Sequence, residues 1–309
     1  MPVNRQMTDA KLLDGKAIAE EMRTELLVER RQFAHTPELR VLYFNRPASG
    51  LYWVAQQHAA ASLEIATNHT GNIGVLSEFD SYCCDWNSVT PAEIERAIQL
   101  WNKSPLVHGI FIHQPLPPQI DAQRVSALID PAKDIEGIHP QNCARRFFAK
   151  ARIGSCTALA VMRLLEEASR QSGETLEGKE AVVVGHSEIV GRPVGMLLLD
   201  QLATTTICHI GTDKVGRLED HVRRADLLVV AAGRPQLIKG MWIRPGAWVI
   251  DVGINVVNSR VVGDVEFDVA KERAAFISPV PGGVGPVTVM MVMKNTLEAF
   301  KLHQAAGAR

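Results

Sequence analysis

One stretch of the chain, AVVVGHSEIVGRPVGMLLL at residues 181–199, limits the possible folds more than any other. Its first four residues are apolar, which is typical of a strand buried on both faces of a sheet. Gly185 interrupts that run, and Ser187 is placed to cap a following helix. A strand that ends at glycine and opens a helix presents unpaired backbone N–H groups to a pyrophosphate. The stretch therefore predicts half of a mononucleotide-binding unit.

The glycine spacing differs from the common dinucleotide fingerprint, because Ser187 stands where the second glycine of G-x-G-x-x-G is usual. A βα turn in any α/β protein is compatible with this spacing, so the later sequence carries more weight. Three further strand-like segments follow, at 203–209, 225–232 and 247–252, with helical segments between them. This alternation of strand and helix predicts a parallel, doubly wound, Rossmann-like sheet.

Composition restricts the class of protein. A chain of 309 residues is long enough for two domains, and 46% hydrophobic with 22% charged residues is typical of a globular protein. A net charge of −1 gives no electrostatic reason to expect nucleic acid or an anionic membrane as a partner. No apolar run approaches the length of a membrane span, and no signal peptide is evident, so a cytoplasmic location is expected. The five cysteines lack metal-binding spacing, which predicts reduced thiols and no metal site.

The remainder of the chain also alternates strands and helices, so an α/β class is expected throughout. Ser49 is predicted to cap a long helix after the strand RVLYF at 40–44. Predicted strands also lie at 72–76 and 109–113, and predicted helices at 9–27, 90–101, 156–169 and 289–302.

Two loops are rich in the residue types that carry function. PAKDIEGIHPQN at 131–142 is dense in charge, histidine, glycine and proline. ISPVPGGVGPVT at 277–288 contains three prolines and three glycines. Binding and catalytic residues are found on loops more often than in cores, although the second loop is also compatible with a rigid connector.

Six segments together resemble one family. The chain resembles the bifunctional methylenetetrahydrofolate dehydrogenase/methenyltetrahydrofolate cyclohydrolase, or FolD, family over residues 9–300. The segments, in the order that the family has them, are PASGLYWVAQ (47–56), GIFIHQPLP (109–117), PAKDIEGIHPQN (131–142), VVVGHSEIVGRP (182–193), VIDVGIN (249–255) and SPVPGGVGPVTV (278–289).

The resemblance implies a folate domain at 1–155 and 287–309 and a Rossmann-like nucleotide domain at 156–286, with the folate cleft at their junction. It implies a homodimer that pairs through the nucleotide domains. The dehydrogenase step passes a hydride from 5,10-methylene-tetrahydrofolate to a nicotinamide. The cyclohydrolase step opens the methenyl ring with water to give 10-formyl-tetrahydrofolate.

The sequence departs from the family at three polar positions of the folate site. Ser49 and Tyr52 match the pattern S-x-x-Y-V-x-x-K, but Gln56 replaces the lysine. His113 stands at the glutamine of Q-L-P-L-P, and Glu136 at the second aspartate of K-D-V-D-G. By this resemblance Tyr52 orients the folate beside Ser49, Gln56 and His113 bind near the one-carbon unit, and Glu136 holds the pterin.

These changes affect the two reactions differently. Hydride loss is driven by the adjacent nitrogen lone pairs and needs positioning more than a proton carrier. Ring opening needs proton transfers, and glutamine cannot titrate, so cyclohydrolase activity is expected to be weak or absent. His113 as a substitute base would preserve a bifunctional enzyme, whereas a histidine that is only hydrogen-bonded would not. A catalytically silent paralogue is the third alternative.

The nicotinamide nucleotide is predicted to be NAD rather than NADP. His186 stands where the family has an arginine for the 2′-phosphate, and Ile210 replaces a serine. A neutral imidazole and an apolar side chain stabilise a phosphate dianion poorly, although Arg192 reaching the phosphate would reverse this preference. The predicted nucleotide-binding residues are Gly185, His186, Ser187, Ile189, Gly191, Gly253 and Ile254. Further predicted substrate-binding residues are Pro281, Gly282 and Gly283.

Overall fold

The computed structural model describes residues 9–68, 80–148 and 152–307. The strand predicted at 72–76 lies outside these residues. The chain divides into two compact units, each described by itself below. The six-stranded unit comprises Met1–Glu20 and Thr157–Thr288, and the three-stranded unit comprises Glu21–Cys156 and Val289–Arg309.

The helices and strands alternate along most of the described chain. The strands are β1 (Lys11–Leu12), β2 (Leu39–Phe44), β3 (Tyr82–Cys84), β4 (Gly109–Ile112), β5 (Glu180–Val184), β6 (Thr204–Cys208), β7 (Leu227–Val230), β8 (Trp248–Asp251), β9 (Asn255–Val257), β10 (Arg260–Val262) and β11 (Phe276–Ile277). The helices are α1 (Gly15–Arg30), α2 (Pro47–Ser62), α3 (Pro91–Lys103), α4 (Ala122–Leu128), α5 (Pro140–Phe147), α6 (Cys156–Ser172), α7 (Gly191–Asp200), α8 (Ile210–Lys214), α9 (Leu218–Arg224), α10 (Phe267–Ala270) and α11 (Val284–Gly307), with a 3₁₀ turn at Gly240–Trp242.

The six-stranded unit is built on a parallel sheet of order β1-β11-β8-β7-β5-β6. Strands β7 and β8 are buried along their whole length, in agreement with the apolar sequence of β7 and of the first three residues of β8. β5 lies between β6 and β7, so the strand order reverses there. Such a switch point opens a crevice at the carboxyl ends of the strands, where ligands of this fold class bind. The predicted doubly wound sheet is confirmed.

The three-stranded unit has a smaller parallel sheet of order β3-β2-β4. Its core includes Phe44 of β2, Ile112 of β4 and Trp101 of α3. α3 starts with a capping box, in which Thr90 and Glu93 exchange hydrogen bonds, and Pro91 takes the first turn. No helix among the described residues is long and apolar enough to cross a membrane.

The N-terminal segment differs from the prediction of one helix at 9–27. Lys11–Leu12 form β1 and pair with β11, and helix α1 begins only at Gly15. Leu13 is fully buried, and its N–H donates to the Ile277 carbonyl at 2.9 Å. The described residues 9–20 group with the six-stranded unit. The domain bounds that the resemblance implies, 1–155 with 287–309 and 156–286, stay a prediction.

The final helix also differs from its prediction, because α11 begins at Val284 rather than at residue 289. Pro286 lies in its first turn, where a missing N–H costs the helix no hydrogen bond. Pro286 is therefore compatible with a helix that begins at Val284, five residues before the predicted start.

Candidate functional site

A chain of polar contacts links α2 to the end of β4 within the three-stranded unit. α2 begins at Pro47 without a side-chain cap, so the predicted capping role of Ser49 is wrong. Instead, Ser49 Oγ accepts the Phe44 N–H at 3.0 Å and lies 2.8 Å from His113 Nδ1. His113 Nε2 lies 2.8 Å from Gln56 Oε1. The structure thus brings together three of the side chains that the sequence singled out.

The directions of these hydrogen bonds follow from the donors present. Burial lowers the pKa of His113 to about 3, so its imidazole is neutral at physiological pH. Gln56 Oε1 can only accept, so His113 Nε2 carries the proton and Nδ1 accepts from the Ser49 hydroxyl. Both ring nitrogens are therefore engaged.

The Gln56 NH2 group has no acceptor of normal hydrogen-bond geometry among the described residues. Its Nε2 is buried and makes no hydrogen bond of normal geometry within the described residues. The nearby Tyr52 hydroxyl is the group that it faces, and this contact opposes the upward shift that burial gives to the pKa of Tyr52. A buried, unsatisfied amide of this kind points to a ligand that supplies the acceptor.

Tyr52 packs its ring against the same histidine. The ring centroids of Tyr52 and His113 are 5.1 Å apart, and Phe111 lies 6.0 Å from Tyr52. Burial raises the pKa of Tyr52 well above its usual value, and the nearby Cys156 thiol and Glu136 carboxyl raise it further. Its hydroxyl is therefore protonated and available as a donor.

The loop at 131–142 is held by two buried charged residues. Asp134 accepts the N–H groups of Glu136, Ile138 and His139, at 3.3, 3.3 and 2.9 Å. Lys133 donates to three backbone carbonyls at the end of α3, at 2.6 to 2.8 Å. These bonds fix the backbone that carries Glu136.

Besides Gln56, Glu136 also contributes an unsatisfied buried atom to this site, since its Oε2 has no hydrogen-bond partner among the described residues. Burial and, secondarily, the Asp134 carboxylate raise its pKa to about 8, while a bond to the Ile112 backbone opposes that shift. At neutral pH Glu136 is largely protonated and becomes an anion only in mildly alkaline solution.

Two residues that sequence reasoning did not assign to the site bind the backbone carbonyl of Ile135, next to Glu136. Cys156 Sγ donates to the Ile135 carbonyl at 3.4 Å, and burial raises the pKa of this thiol well above its usual value. Asn295 donates from Nδ2 to the Ile135 and Gly154 carbonyls, both at 2.7 Å. No sequence signal linked Asn295 to a loop 160 residues away, because only folding brings them together.

In the six-stranded unit, the predicted phosphate turn follows β5. Gly185 has φ of +130°, and a Cβ there would lie 2.3 Å from the Ala231 carbonyl oxygen. A Cβ on Gly191 would lie 2.0 Å from the Gly185 oxygen. Only glycine fits either position. Helix α7 begins at Gly191, and Val190 rather than the predicted Ser187 is its N-cap residue. Ser187 Oγ accepts the N–H groups of Val190 at 3.1 Å and Gly191 at 3.4 Å.

Two histidines lie close together at the ends of neighbouring strands: His186 follows β5, and His209 follows β6. Their rings are exposed and 5.3 Å apart. His209 Nδ1 accepts the Gly211 N–H at 3.0 Å, while Ile210 is 57% exposed beside it. Arg192 is directed to Glu188, at 3.4 Å.

The other predicted nucleotide residues lie on neighbouring loops. Ile189 is half-buried in the turn before α7, and Ile254 is 67% exposed after β8. Gly253 permits close packing, because a Cβ there would lie 2.2 Å from Asp264 Cγ.

Pro281, Gly282 and Gly283 belong to the six-stranded unit, not to the unit that contains Tyr52. Gly282 has φ of +106°, and a Cβ on Gly283 would lie 2.6 Å from the Pro279 oxygen. Their described contacts therefore explain a tight turn before α11. Within the described residues, no group of three acidic, cysteine or histidine side chains is arranged to hold a metal ion.

Comparison with known proteins gives matches over both halves of the chain. Residues 13–136 match the family model for the tetrahydrofolate dehydrogenase/cyclohydrolase catalytic domain, and residues 155–304 match that for the NAD(P)-binding domain. Bifunctional protein FolD 2 of Geobacter sulfurreducens is 44% identical over 298 residues, which cover 95% of this chain and 98% of that protein. Bifunctional protein FolD of Halothermothrix orenii is 42% identical over 299 residues, which cover 95% and 99%.

Solved structures agree with these matches. The N5,N10-methylenetetrahydrofolate dehydrogenase-cyclohydrolase (FolD) of Trypanosoma brucei, complexed with NADP cofactor and inhibitor, is 38% identical with a TM-score of 0.84, over 96% of this chain and 98% of that chain. The NAD-dependent 5,10-methylenetetrahydrofolate dehydrogenase of Saccharomyces cerevisiae shares the fold at 20% identity, with a TM-score of 0.77 over 97% and 100%. The chain belongs to the tetrahydrofolate dehydrogenase/cyclohydrolase family.

Proposed function

We propose that this protein is an NAD(P)-dependent methylenetetrahydrofolate dehydrogenase whose cyclohydrolase activity is weak or absent. The dehydrogenase half is supported by the match to both family domains and by the names of the relatives. The loss of cyclohydrolase rests on one observation. Gln56, at the family's lysine position, cannot carry a proton, and His113 beside it has both ring nitrogens engaged.

The dehydrogenase needs positioned groups rather than a proton carrier. The Gln56 amide and the Tyr52 hydroxyl are donors for polar atoms of the folate, and Glu136 accepts from the pterin when ionised. The bound nicotinamide supplies the hydride acceptor. Since C–H cleavage is assisted by the substrate's own nitrogen lone pairs, none of these side chains has to change its protonation state in this step.

Ring opening of the methenyl product makes a different demand, because water must lose a proton as it adds. A base suited to this step has a pKa near the working pH, whereas burial lowers the pKa of His113 to about 3. This disfavours the alternative in which His113 replaces the lysine. Glu136 titrates nearer neutrality, but its position is the one that binds the pterin in the family motif.

The test follows both products in one reaction. Purified protein is mixed with 5,10-methylene-tetrahydrofolate and either NAD⁺ or NADP⁺, and absorbance is recorded at the reduced-nicotinamide and methenyl-folate bands. We expect reduced nicotinamide and methenyl-tetrahydrofolate to accumulate in equal amounts. Methenyl product that disappears well above the spontaneous rate would contradict the loss of cyclohydrolase. Absence of both signals would contradict the dehydrogenase.

For the nucleotide we propose a preference for NAD over NADP. His186 and Ile210 provide no fixed positive charge, and Arg192 is directed to Glu188. His186→Arg is therefore expected to raise the ratio of NADP to NAD in kcat/KM about tenfold or more, since a charge-assisted bond to phosphate is about twice as strong as a neutral one. His186→Gln is the matched control and should leave the ratio low. A wild-type ratio that already favours NADP would refute the preference.

We also propose a homodimer through the six-stranded unit. Its edge strand β6 exposes Ile207. Leu199 near the end of α7 and Leu202 just after that helix are also exposed. An apolar edge strand invites pairing with a second chain. Sedimentation should show a dimer that Ile207→Arg converts to monomer, while Val261→Arg, at another exposed apolar position, leaves it intact. A wild-type monomer would exclude this assembly.

A further inference from the structure

The crevice at the switch point of the six-stranded sheet has two walls. One wall is the glycine turn after β5, already described. The other is the segment after β7, where the Ala231 N–H donates to the Val184 carbonyl at 2.7 Å. Because Gly185 is packed against the Ala231 oxygen, movement of the β7 segment would change the width of the crevice.

A single buried carboxylate holds that wall. Asp264 Oδ2 accepts the N–H groups of Ala232 and Gly233, at 2.7 and 2.8 Å. Its other oxygen accepts from Asn255 Nδ2 at 2.8 Å. Asp264 is fully buried and forms no ion pair with a described cationic residue, so these bonds are what stabilise its carboxylate.

A second buried carboxylate fixes Asp264 in turn. Asp251, at the end of β8, accepts the backbone N–H groups of Gly253, Asp264 and Val265 at 2.9 to 3.0 Å. A Cβ on Gly263 would lie 1.9 Å from Asp251 Oδ2, and one on Gly253 would meet Asp264 at 2.2 Å. The ends of β7 and β8 and the segment after β10 are therefore joined through two carboxylates, with glycine where space is least.

We infer that Asp264 is a positioning residue for the nicotinamide nucleotide, because it holds the backbone on the β7 side of the crevice, next to the Ala231 oxygen that packs against Gly185. Asp264 acts through the backbone of Ala232 and Gly233 and need not touch the ligand. This inference rests on the proposed function, which supplies the nucleotide as ligand. The general rule that ligands bind at the switch point supplies the place.

Asp264→Asn tests the inference with little change in volume. The substitution removes the negative charge, so the bonds from Ala232 and Gly233 become weaker neutral hydrogen bonds, and the new NH2 group faces Asn255 Nδ2, a donor, in place of an acceptor. We expect the Kd values of NAD⁺ and NADP⁺ to rise about tenfold or more, the size expected for losing hydrogen bonds to a charged group. The Kd of 5-formyl-tetrahydrofolate should remain within about twofold of wild type. Hydrogen exchange at residues 231–234 should accelerate, since the hydrogen bonds of the Ala232 and Gly233 amides become weaker.

Asn255→Ala is the matched control, because it removes the other partner of Asp264 and leaves the bonds to Ala232 and Gly233 in place. Its nucleotide Kd should stay within about threefold of wild type, as expected for a partner that does not hold the wall. Unchanged nucleotide affinity in Asp264→Asn, with only a lower melting temperature, would assign the residue a purely structural role and overturn the inference.

Two other outcomes are distinguishable from that one. A wild-type protein that binds neither nucleotide would refute the proposed function itself. If Asp264→Asn fails to fold, Gly233→Pro replaces it, since proline removes one donor to Asp264 and cannot adopt the observed φ of +63°. Loss of nucleotide binding with 5-formyl-tetrahydrofolate binding retained would support the inference, and unchanged nucleotide affinity would overturn it.

Discussion

Restoring a lysine at position 56 should restore ring opening. In Gln56→Lys the new amine lies where a fully buried amide now contacts His113 Nε2. The polar chain can accommodate it by reversing direction. The lysine donates to Nε2, and Nδ1–H then donates to Ser49 Oγ across the present 2.8 Å contact. Burial also lowers a lysine pKa toward neutrality, which suits proton transfer.

The magnitude follows from what a positioned proton carrier contributes, which is about 10²–10⁴ in rate. We expect Gln56→Lys to hydrolyse methenyl-tetrahydrofolate at least about 100-fold faster than the wild type. The dehydrogenase should change less than about tenfold, because hydride transfer depends on positioning. Starting from 5,10-methylene-tetrahydrofolate, the wild type would then accumulate the methenyl product, whereas Gln56→Lys would accumulate the 10-formyl product.

The assay is loss of methenyl absorbance after subtraction of the spontaneous rate, with dehydrogenase activity measured on the same preparation. Gln56→Met is the matched control, since it has similar length and cannot carry a proton. A Gln56→Lys protein that keeps dehydrogenase activity but gains no hydrolysis would refute the reasoning. Equal gains in both variants would show that packing, not proton transfer, limits the reaction.

Three further outcomes are expected. Because the pKa of Glu136 is raised to about 8, its accepting anion forms as pH rises, so the Kd of 5-formyl-tetrahydrofolate should fall about tenfold between about pH 7 and pH 9. Calorimetric titration measures this Kd, and Glu136→Gln should abolish its pH dependence. A Kd of the wild-type protein that does not change with pH would contradict the prediction. Asn295→Ala removes the amide donor from the Gly154 carbonyl and leaves the Ile135 carbonyl with only the weak Cys156 thiol, so it should lower the free energy of unfolding by about 2 kcal/mol or more in urea titration; a loss under about 0.5 kcal/mol would show that other donors replace the amide. Gly191→Ala places a Cβ 2.0 Å from the Gly185 oxygen and should weaken binding of both nucleotides by more than about tenfold; fluorescence titration with NAD⁺ and NADP⁺ checks this, and 5-formyl-tetrahydrofolate affinity should be unaffected.

Local patterns were sufficient to predict four strands of the six-stranded sheet, β5 to β8. A strand buried on both faces must be apolar along its length, so β5, β7 and β8 were recognisable without any tertiary information. The capping box of α3 is equally local. Local patterns failed at β1, since a two-residue edge strand has no periodicity and is defined only by its pairing with β11.

The sequence by itself determined which groups are available: a non-titrating Gln56 at a lysine position, with histidine and glutamate at the two other changed positions. Only the tertiary structure decided their chemical states. Burial and two hydrogen bonds make His113 a neutral relay rather than a base, and burial near Asp134 makes Glu136 a weak acid. The protonation state of a side chain depends on desolvation and on neighbours from distant parts of the chain, and the adjacent residues in the sequence determine neither.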